Sequence, residues 1–291
     1  MHRVLKIGTR GSHLALLQTR QAVEMLRKVA PENHYEIVVI QSSGDRGCHQ
    51  EVGAFTAELE RAVLDGRVDI AVHSYKDLPL DSDSRLIVAA VLPRADPDDV
   101  LLSRLPSVLH VPGLNVGTSS NRRKSFLAHH HPGWVFHAIH GNIDTRIKQL
   151  REDFTLDAIV VAQAALQRGG FSLQGLYSEK IPRSDLLPAP AQGAIAVQCQ
   201  KHDEELVLLC QKINHTATSD CVIIEREFLK LLGGGCAASL GCIAEYDHGK
   251  LEFSACWLDA GNTLHRGTWE FCSFQHAFDA LAKIASEWLQ K

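Results

Sequence analysis

Val116-Gly117-Thr118-Ser119-Ser120-Asn121-Arg122-Arg123-Lys124 decides how the chain is read. A valine and a glycine close a short strand, three hydroxyl side chains follow, and three cations fall in the first turn of the next helix. Free backbone N–H groups at a helix start attract negative charge, hydroxyls add donors, and a guanidinium grips a carboxylate or phosphate with two parallel hydrogen bonds. The stretch predicts a strand-to-helix turn built around an anion. The plainer alternative is an N-capped surface helix with a solvated basic turn.

Other segments repeat the pattern of a buried strand and a turn that presents a cation. Leu5-Lys6-Ile7-Gly8-Thr9-Arg10-Gly11-Ser12 leads into an apolar-periodic helix through Leu14, Leu17, Ala22 and Leu26, with Arg10 and Ser12 at the turn. Asp69 to Pro79 gives a buried strand over Ile70-Ala71-Val72, then a polar turn with Lys76 and Asp77 closed by proline. His140-Gly141-Asn142 breaks the chain before a helix carrying Arg146, and Ala158 to Ala162 precedes a short helix ending at Arg168-Gly169-Gly170. In open α/β sheets ligands bind beyond the carboxyl ends of the strands, so these turns are expected to gather in one cleft.

At 291 residues, 45% apolar and 22% charged, the chain has the composition of an ordinary globular protein of two or three domains. A formal net charge of −4 disfavours a general nucleic-acid binder, and interspersed acids with few aromatics do the same. No run approaches the length of a membrane span, and Met1-His2-Arg3-Val4 leads straight into a strand with no export signal. The expectation is a cytoplasmic protein, or one that reaches an organelle after processing, and a monomer that engages neither nucleic acid nor membrane.

Eight scattered cysteines without an export signal read as reduced thiols. Cys199 and Cys210 fit core positions, and Cys236 and Cys242 are too widely spaced for a usual zinc pair, so no metal is expected. His129-His130-His131 reads as a solvated helix end. Leu231 to Gly241, with Gly233-Gly234-Gly235 before Cys236, follows a helix over about Thr218 to Leu232 and leaves that thiol on a loop that a bulky group can approach, although taken alone such a segment is more often a helix C-cap with an incidental cysteine.

Taken in order, Ile7-Gly8-Thr9-Arg10, Ser43-Gly44-Asp45, Phe55-Thr56-Ala57-Glu58-Leu59-Glu60, His73 to Pro79, Gly117 to Arg123, Gly141-Asn142 with Thr145-Arg146, Gln192-Gly193-Ala194 and Gly234-Gly235-Cys236 form a specific set. By these motifs the chain resembles the porphobilinogen deaminase (hydroxymethylbilane synthase) family over nearly its whole length. The resemblance implies a transferase of haem and porphyrin biosynthesis with a dipyrromethane cofactor tied by a thioether to Cys236. Such an enzyme adds four porphobilinogen molecules head to tail, each losing ammonia, and releases hydroxymethylbilane by hydrolysis.

Each pyrrole carries an acetate and a propionate, so the growing chain is strongly anionic and needs several fixed cations. A charge pair at 4 Å is worth about 4 kcal/mol at an effective dielectric near 20, before desolvation. By the resemblance, Lys76, Thr118, Ser119, Ser120, Arg122, Arg123, Arg146 and Gly193 would contact the cofactor, and Arg10, Ser12, Arg168, Gln192 and His140 the substrate. Asp77, with Lys76, would be catalytic, accepting the pyrrole N–H bond and stabilising the azafulvenium cation formed as ammonia leaves. Without the resemblance, Asp77 reads first as a turn-capping aspartate beside Pro79.

The chain departs from the family pattern in places. His140 stands where an arginine is usual, the loop from Arg46 to Ala54 is short, Asn121 replaces a leucine, and Ala189-Pro190-Ala191 precedes Gln192. The fold expected is α/β: two hinged α/β lobes resembling two-lobed solute-binding proteins plus a small C-terminal α+β domain. The domains are 1–92 with 193–212, 97–188, and 214–291, with hinges near Pro93 to Pro97 and Leu187 to Gln192. Strands are expected at Leu251 to Trp257 and His265 to Phe271, and a final helix from about His276 to Leu289. The alternative function is a degenerate family member or an anion- or pyrrole-binding protein that does not polymerise.

Overall fold

The computed structural model describes residues 3–41, 56–234, 239–259 and 261–290. The chain divides into two compact units, one of residues 1–94 and 193–220 and the other of 95–192 and 221–291.

In the first unit, β1 (Val4–Thr9), β2 (His34–Val39) and β3 (Ile70–Ser74) run parallel, β10 (Ile195–Gln200) runs antiparallel to β3, and β4 (Leu86–Val91) closes the order β2-β1-β3-β10-β4. Alternation along the strands divides the apolar side chains between two faces. Leu5, Ile7, Ile70, Val72 and Val197 meet Ala22, Val23 and Leu26 of α1 (His13–Val29) and Leu206 and Cys210 of α6 (Glu204–Gln211). On the other face Ala71 and Leu86 meet Leu59, Ala62 and Val63 of α2 (Ala57–Leu64). Each fully buried Leu or Ile contributes about 1.5–3 kcal/mol, enough to fix which face of each strand turns inward.

The second unit repeats this plan. Here β6 (Asn115–Gly117), β7 (Val135–His137) and β8 (Ala158–Ala162) run parallel, β5 (Asp99–Ser103) is antiparallel to β8, and β9 (Tyr177–Lys180) pairs with β5, giving β7-β6-β8-β5-β9. Leu101, Val116, Ala158 and Val160 pack against Phe126 and Leu127 of α3 (Asn121–His130), and Val100, Leu102, Ile159 and Val161 against Ile147 and Leu150 of α4 (Ile143–Glu152). α5 (Gln163–Gly169) follows β8 and ends on Gly170 at φ 57°, a left-handed cap open to glycine without strain.

The C-terminal strands β11 (Leu240–Asp247), β12 (Lys250–Leu258) and β13 (Leu264–Phe271) form an antiparallel sheet. Its Phe253 packs with Phe228 of α7 (Thr216–Leu231) and Trp288 of α8 (Phe274–Leu289), while Ile243, Cys256 and Leu258 join the β5–β8 core of the same unit. α8 buries Ala277, Leu281, Ile284, Ala285 and Trp288, an apolar stripe of helical period.

The expected β12, β13, α7 and α8 are present within a few residues of their predicted ends. β11 was not anticipated, and β5 and β10 run against the parallel strands of their sheets. Cys199 and Cys210 lie in the core as expected, and all six cysteines among the described residues are free thiols.

Candidate active site

Parallel strands bring their carboxyl ends to one edge of a sheet, and an antiparallel neighbour contributes its amino end to that same edge. In the first unit the edge holds the turns after Thr9 and Ser74 and the start of β10, because Ile195 pairs with Ser74. Ser12 caps α1, its Oγ accepting from Ala15 N at 3.3 Å, which fixes the turn carrying the half-buried Arg10. After β3 the chain makes a single 3-10 turn over Tyr75–Asp77. Ser74 Oγ donates to Gln18 Oε1 of α1 at 2.9 Å and Tyr75 N to Ala194 O at 3.0 Å, so both flanking elements pin the turn. Gly193, at φ 86°, is adjacent to that anchor.

Lys76 and Asp77 are half-buried on this turn. Among the described residues no hydrogen bond or ion pair reaches the Asp77 carboxylate. Beneath it, His73 Nε2 donates to Gln198 Oε1 at 3.1 Å, and Gln198 Nε2 donates to Glu60 Oε1 at 2.9 Å. Burial, with the Arg10 charge adding to it, outweighs the Gln198 bond and pushes the imidazole down to about 4. His73 is therefore neutral at pH 7, and its position beneath the turn adds no charge there.

In the second unit the edge holds the turns after Gly117, His137 and Ala162, together with the start of β5, where Asp99 pairs with Ala162. The hydroxyls of the quoted stretch are spent on shaping the turn. Thr118 Oγ1 accepts from Ser120 N, Ser120 Oγ caps α3 through Arg123 N, and Ser119 Oγ donates to Ile139 O. Asn142 caps α4, its Oδ1 accepting from Thr145 N at 3.0 Å, and Arg146 Nε returns to Gly141 O at 2.9 Å.

The expectation of two guanidiniums open to an external anion changes in one respect. Arg122 and Arg123 are 5% and 6% exposed, and both already hold the buried carboxylate of Asp99. Arg122 Nη2 donates to Asp99 Oδ2 and Arg123 Nη2 to Asp99 Oδ1, each at 2.6 Å, while Gln192 Nε2 reaches Oδ1 at 3.0 Å. Arg123 Nη1 also donates to Val160 O at 2.8 Å. Among the described residues two cations thus face one anion, which leaves one positive charge in excess. Arg122 Nε is buried with no hydrogen-bond partner, and burial pushes this guanidinium down despite the Asp99 charge. The solvated-turn alternative does not hold for Arg122 and Arg123, although Lys124 is exposed.

Arg168, in the last turn of α5, is half-buried with no hydrogen bond or ion pair among the described residues. Burial alone pushes it down to about 10. His140 is exposed at the β7–α4 turn. The Cys236 loop centre and the short segment from Arg46 to Ala54, with Ser43-Gly44-Asp45 and Phe55 beside it, lie outside the described residues. Among the described residues no three metal-ligating side chains cluster; His131 stacks on Trp134 at 4.1 Å between ring centroids, at the end of α3.

Asp99 and His73 are the residues that sequence reasoning missed as parts of the site. Asp99 showed itself only as one of an acidic pair, Asp98-Asp99, ahead of an apolar run. His73 follows the apolar run Ile70-Ala71-Val72 in its strand, a placement that marks a buried and therefore neutral imidazole.

Each unit by itself is an α/β layer with charged side chains at its strand ends, in the second an excess of buried cations and in the first a carboxylate that no described residue bonds. Comparison with known proteins identifies the family. Residues 5–207 match the family described as porphobilinogen deaminase, dipyrromethane cofactor binding domain, and residues 219–285 its C-terminal domain. The chain is 39% identical over 274 residues to the porphobilinogen deaminase of Fusobacterium nucleatum, covering 91% of both chains. It is 38% identical over 299 residues to that of Syntrophomonas wolfei, covering 99% of this chain and 96% of the relative. The Thermus thermophilus protein is 40% identical over 248 residues, covering 84% and 81%. Among solved structures, the BenM effector binding domain with benzoate gives a TM-score of 0.46 at 14% identity over 72% of this chain and 90% of that one, too slight a likeness to carry an argument.

The chain belongs to the porphobilinogen deaminase family and carries its cofactor-binding domain. The transferase reading is thereby supported and the binding-only alternative is not. The residues fit a dipyrromethane. Its acetates and propionates are anions of the kind that would match the excess charge beside Asp99 and the buried Arg122 Nε.

Proposed function

We propose that Cys236 holds the dipyrromethane through a thioether and that Asp77 is the catalytic carboxylate in joining four porphobilinogen molecules into hydroxymethylbilane. Bound there, the cofactor supplies the pyrrole carbon to which the first substrate is joined. Arg122, Arg123 and Arg146, with Lys76 and the turn of Thr118, Ser119 and Ser120, orient its carboxylates, and Gly193 lets backbone approach closely. Arg10, Ser12, Arg168, Gln192 and His140 receive the substrate.

Asp77 accepts the pyrrole N–H bond and offsets the positive charge that develops on the substrate as ammonia leaves. Lys76, beside it on the same turn, holds the incoming carboxylate away from Asp77. One observation carries the reading: buried guanidiniums outnumber their carboxylate two to one beside Asp99. Cations left in low dielectric without a counter-charge are costly unless a ligand supplies one.

The reading includes a cytoplasmic monomer that acts on porphobilinogen and binds neither nucleic acid nor membrane. The net charge of −4 supports the exclusion of nucleic acid, and no helix among the described residues is long and apolar enough to cross a membrane. The segment 214–291 is taken as a third domain, with 1–92 plus 193–212 and 97–188 as the first two. The test is turnover of porphobilinogen, followed as uroporphyrin after oxidation of the product. Asp77→Asn is expected to lower the rate by about 10²–10⁴ while leaving the melting temperature near that of the parent; near-normal turnover in that variant rejects the assignment.

A further inference from the structure

The geometry points to Asp99 as a positioning residue that sets the charge of the Arg122–Arg123 pair, so that the pair accepts a single carboxylate of the cofactor. This inference rests on the reading of that pair as a cofactor contact.

Three observations carry it. First, Asp99 is wholly buried and touches both guanidiniums, through different oxygens, at 2.6 Å each. Each cation therefore has its direction fixed by the same anion, and neither can turn away without leaving a buried carboxylate half-satisfied. Second, Arg122 Nη1 also donates to Leu187 O and Arg123 Nη1 to Val160 O, so one nitrogen of each fork is anchored to backbone. Of the guanidinium nitrogens, Arg122 Nε is the one left buried without any partner, which marks where a further acceptor is lacking. Third, the charges do not balance. Without Asp99 the pocket would hold two buried cations and attract anions without discrimination; with a second acid it would attract none. Gln192 Nε2 donates to Asp99 Oδ1, the oxygen that Arg123 also holds, and to Pro97 O at 2.6 Å, which fixes the carboxylate further without altering the charge.

The charge count gives an ordered prediction. The parent has one excess positive charge, Arg122→Gln none, Asp99→Asn two, and the double variant Asp99→Asn/Arg122→Gln one again. The measurement is the gap in melting temperature between the cofactor-loaded protein and its unloaded Cys236→Ser counterpart, taken for each variant, with loading checked by intact mass. The gap is expected to be smallest in Arg122→Gln, largest in Asp99→Asn, and equal in the parent and the double variant, with steps of at least about 2–4 °C.

A purely structural Asp99 would lower the loaded and unloaded melting temperatures together and leave the gap unchanged, which overturns the inference. If Asp99→Asn fails to fold, the double variant decides alone: a gap matching the parent supports charge-setting, and one matching Arg122→Gln overturns it. A parent and Arg122→Gln with the same gap would remove the pair from the cofactor site altogether, and with it both the reading and the inference.

Discussion

Arg168→Gln tests whether a cation is held desolvated in readiness for a carboxylate. Burial brings this guanidinium down to about 10, from an ordinary value near 12.5, which corresponds to about 3 kcal/mol at 1.36 kcal/mol per pH unit. The side chain is only half-buried and sits in the last turn of α5, where the helix dipole returns about 0.3–1 kcal/mol, so the net cost to the unloaded fold is about 1–2 kcal/mol. Because the folded value is the lower one, the unfolded chain holds this proton more tightly. The cost is then fully present at pH 7 and disappears only as pH rises above about 10. Removing the charge at pH 7 should raise the melting temperature of the unloaded Cys236→Ser protein by about 2–8 °C. If Arg168 receives the substrate as proposed, the same change in the loaded enzyme removes a charged hydrogen bond worth about 1.5–3 kcal/mol, so KM should rise by about 10- to 100-fold. Calorimetry and steady-state kinetics read the two effects. A variant that melts lower than its parent, or that keeps its KM, refutes the reasoning.

His73, neutral with a folded value of about 4, should cost stability in mild acid. The loss starts as pH falls below the unfolded value near 6.5 and reaches about 3 kcal/mol near pH 4; melting curves across that range should be flatter for His73→Gln than for the parent, and parallel curves would contradict this. Glu225, wholly buried, accepts from Ala191 N at 2.6 Å and Ala244 N at 2.8 Å, fixing Ala191 at φ 60° beside Gln192. Glu225→Gln exchanges one acceptor oxygen for a donor and should destabilise by about 1–3 kcal/mol in urea titration; an unchanged midpoint would show that the loop holds its shape unaided. Exposed Arg85 and Asp83 form an ion pair two residues apart, and Asp83→Asn should leave the melting temperature within about 1 °C; a larger drop would mean that surface pairs matter more here than solvent screening allows.

The strand-to-helix turns were legible because each combines a local cap with an apolar period. Ser12, Ser120 and Asn142 occur where a helix start requires a side-chain acceptor, and all three act as caps. Strand direction was not legible, since a short run such as Ile195 to Cys199 looks the same whichever way it pairs. That uncertainty hid Asp99, whose nearness to Arg122 depends on β5 running antiparallel to β8. The burial of the two arginines was readable in principle. Arg122 and Arg123 share a helix face with Phe126 and Leu127, both in the core, so the spacing turns the cations inward. β11 escaped notice because the glycines before Cys236 obscured where the next strand begins.

The mass of the intact protein, isolated without denaturant, addresses the covalent cofactor most directly. The account predicts an excess equal to one dipyrromethane, found on the Cys236 peptide after digestion and missing from Cys236→Ala, which should also be inactive. A polypeptide of unmodified mass that still converts porphobilinogen to hydroxymethylbilane would contradict it.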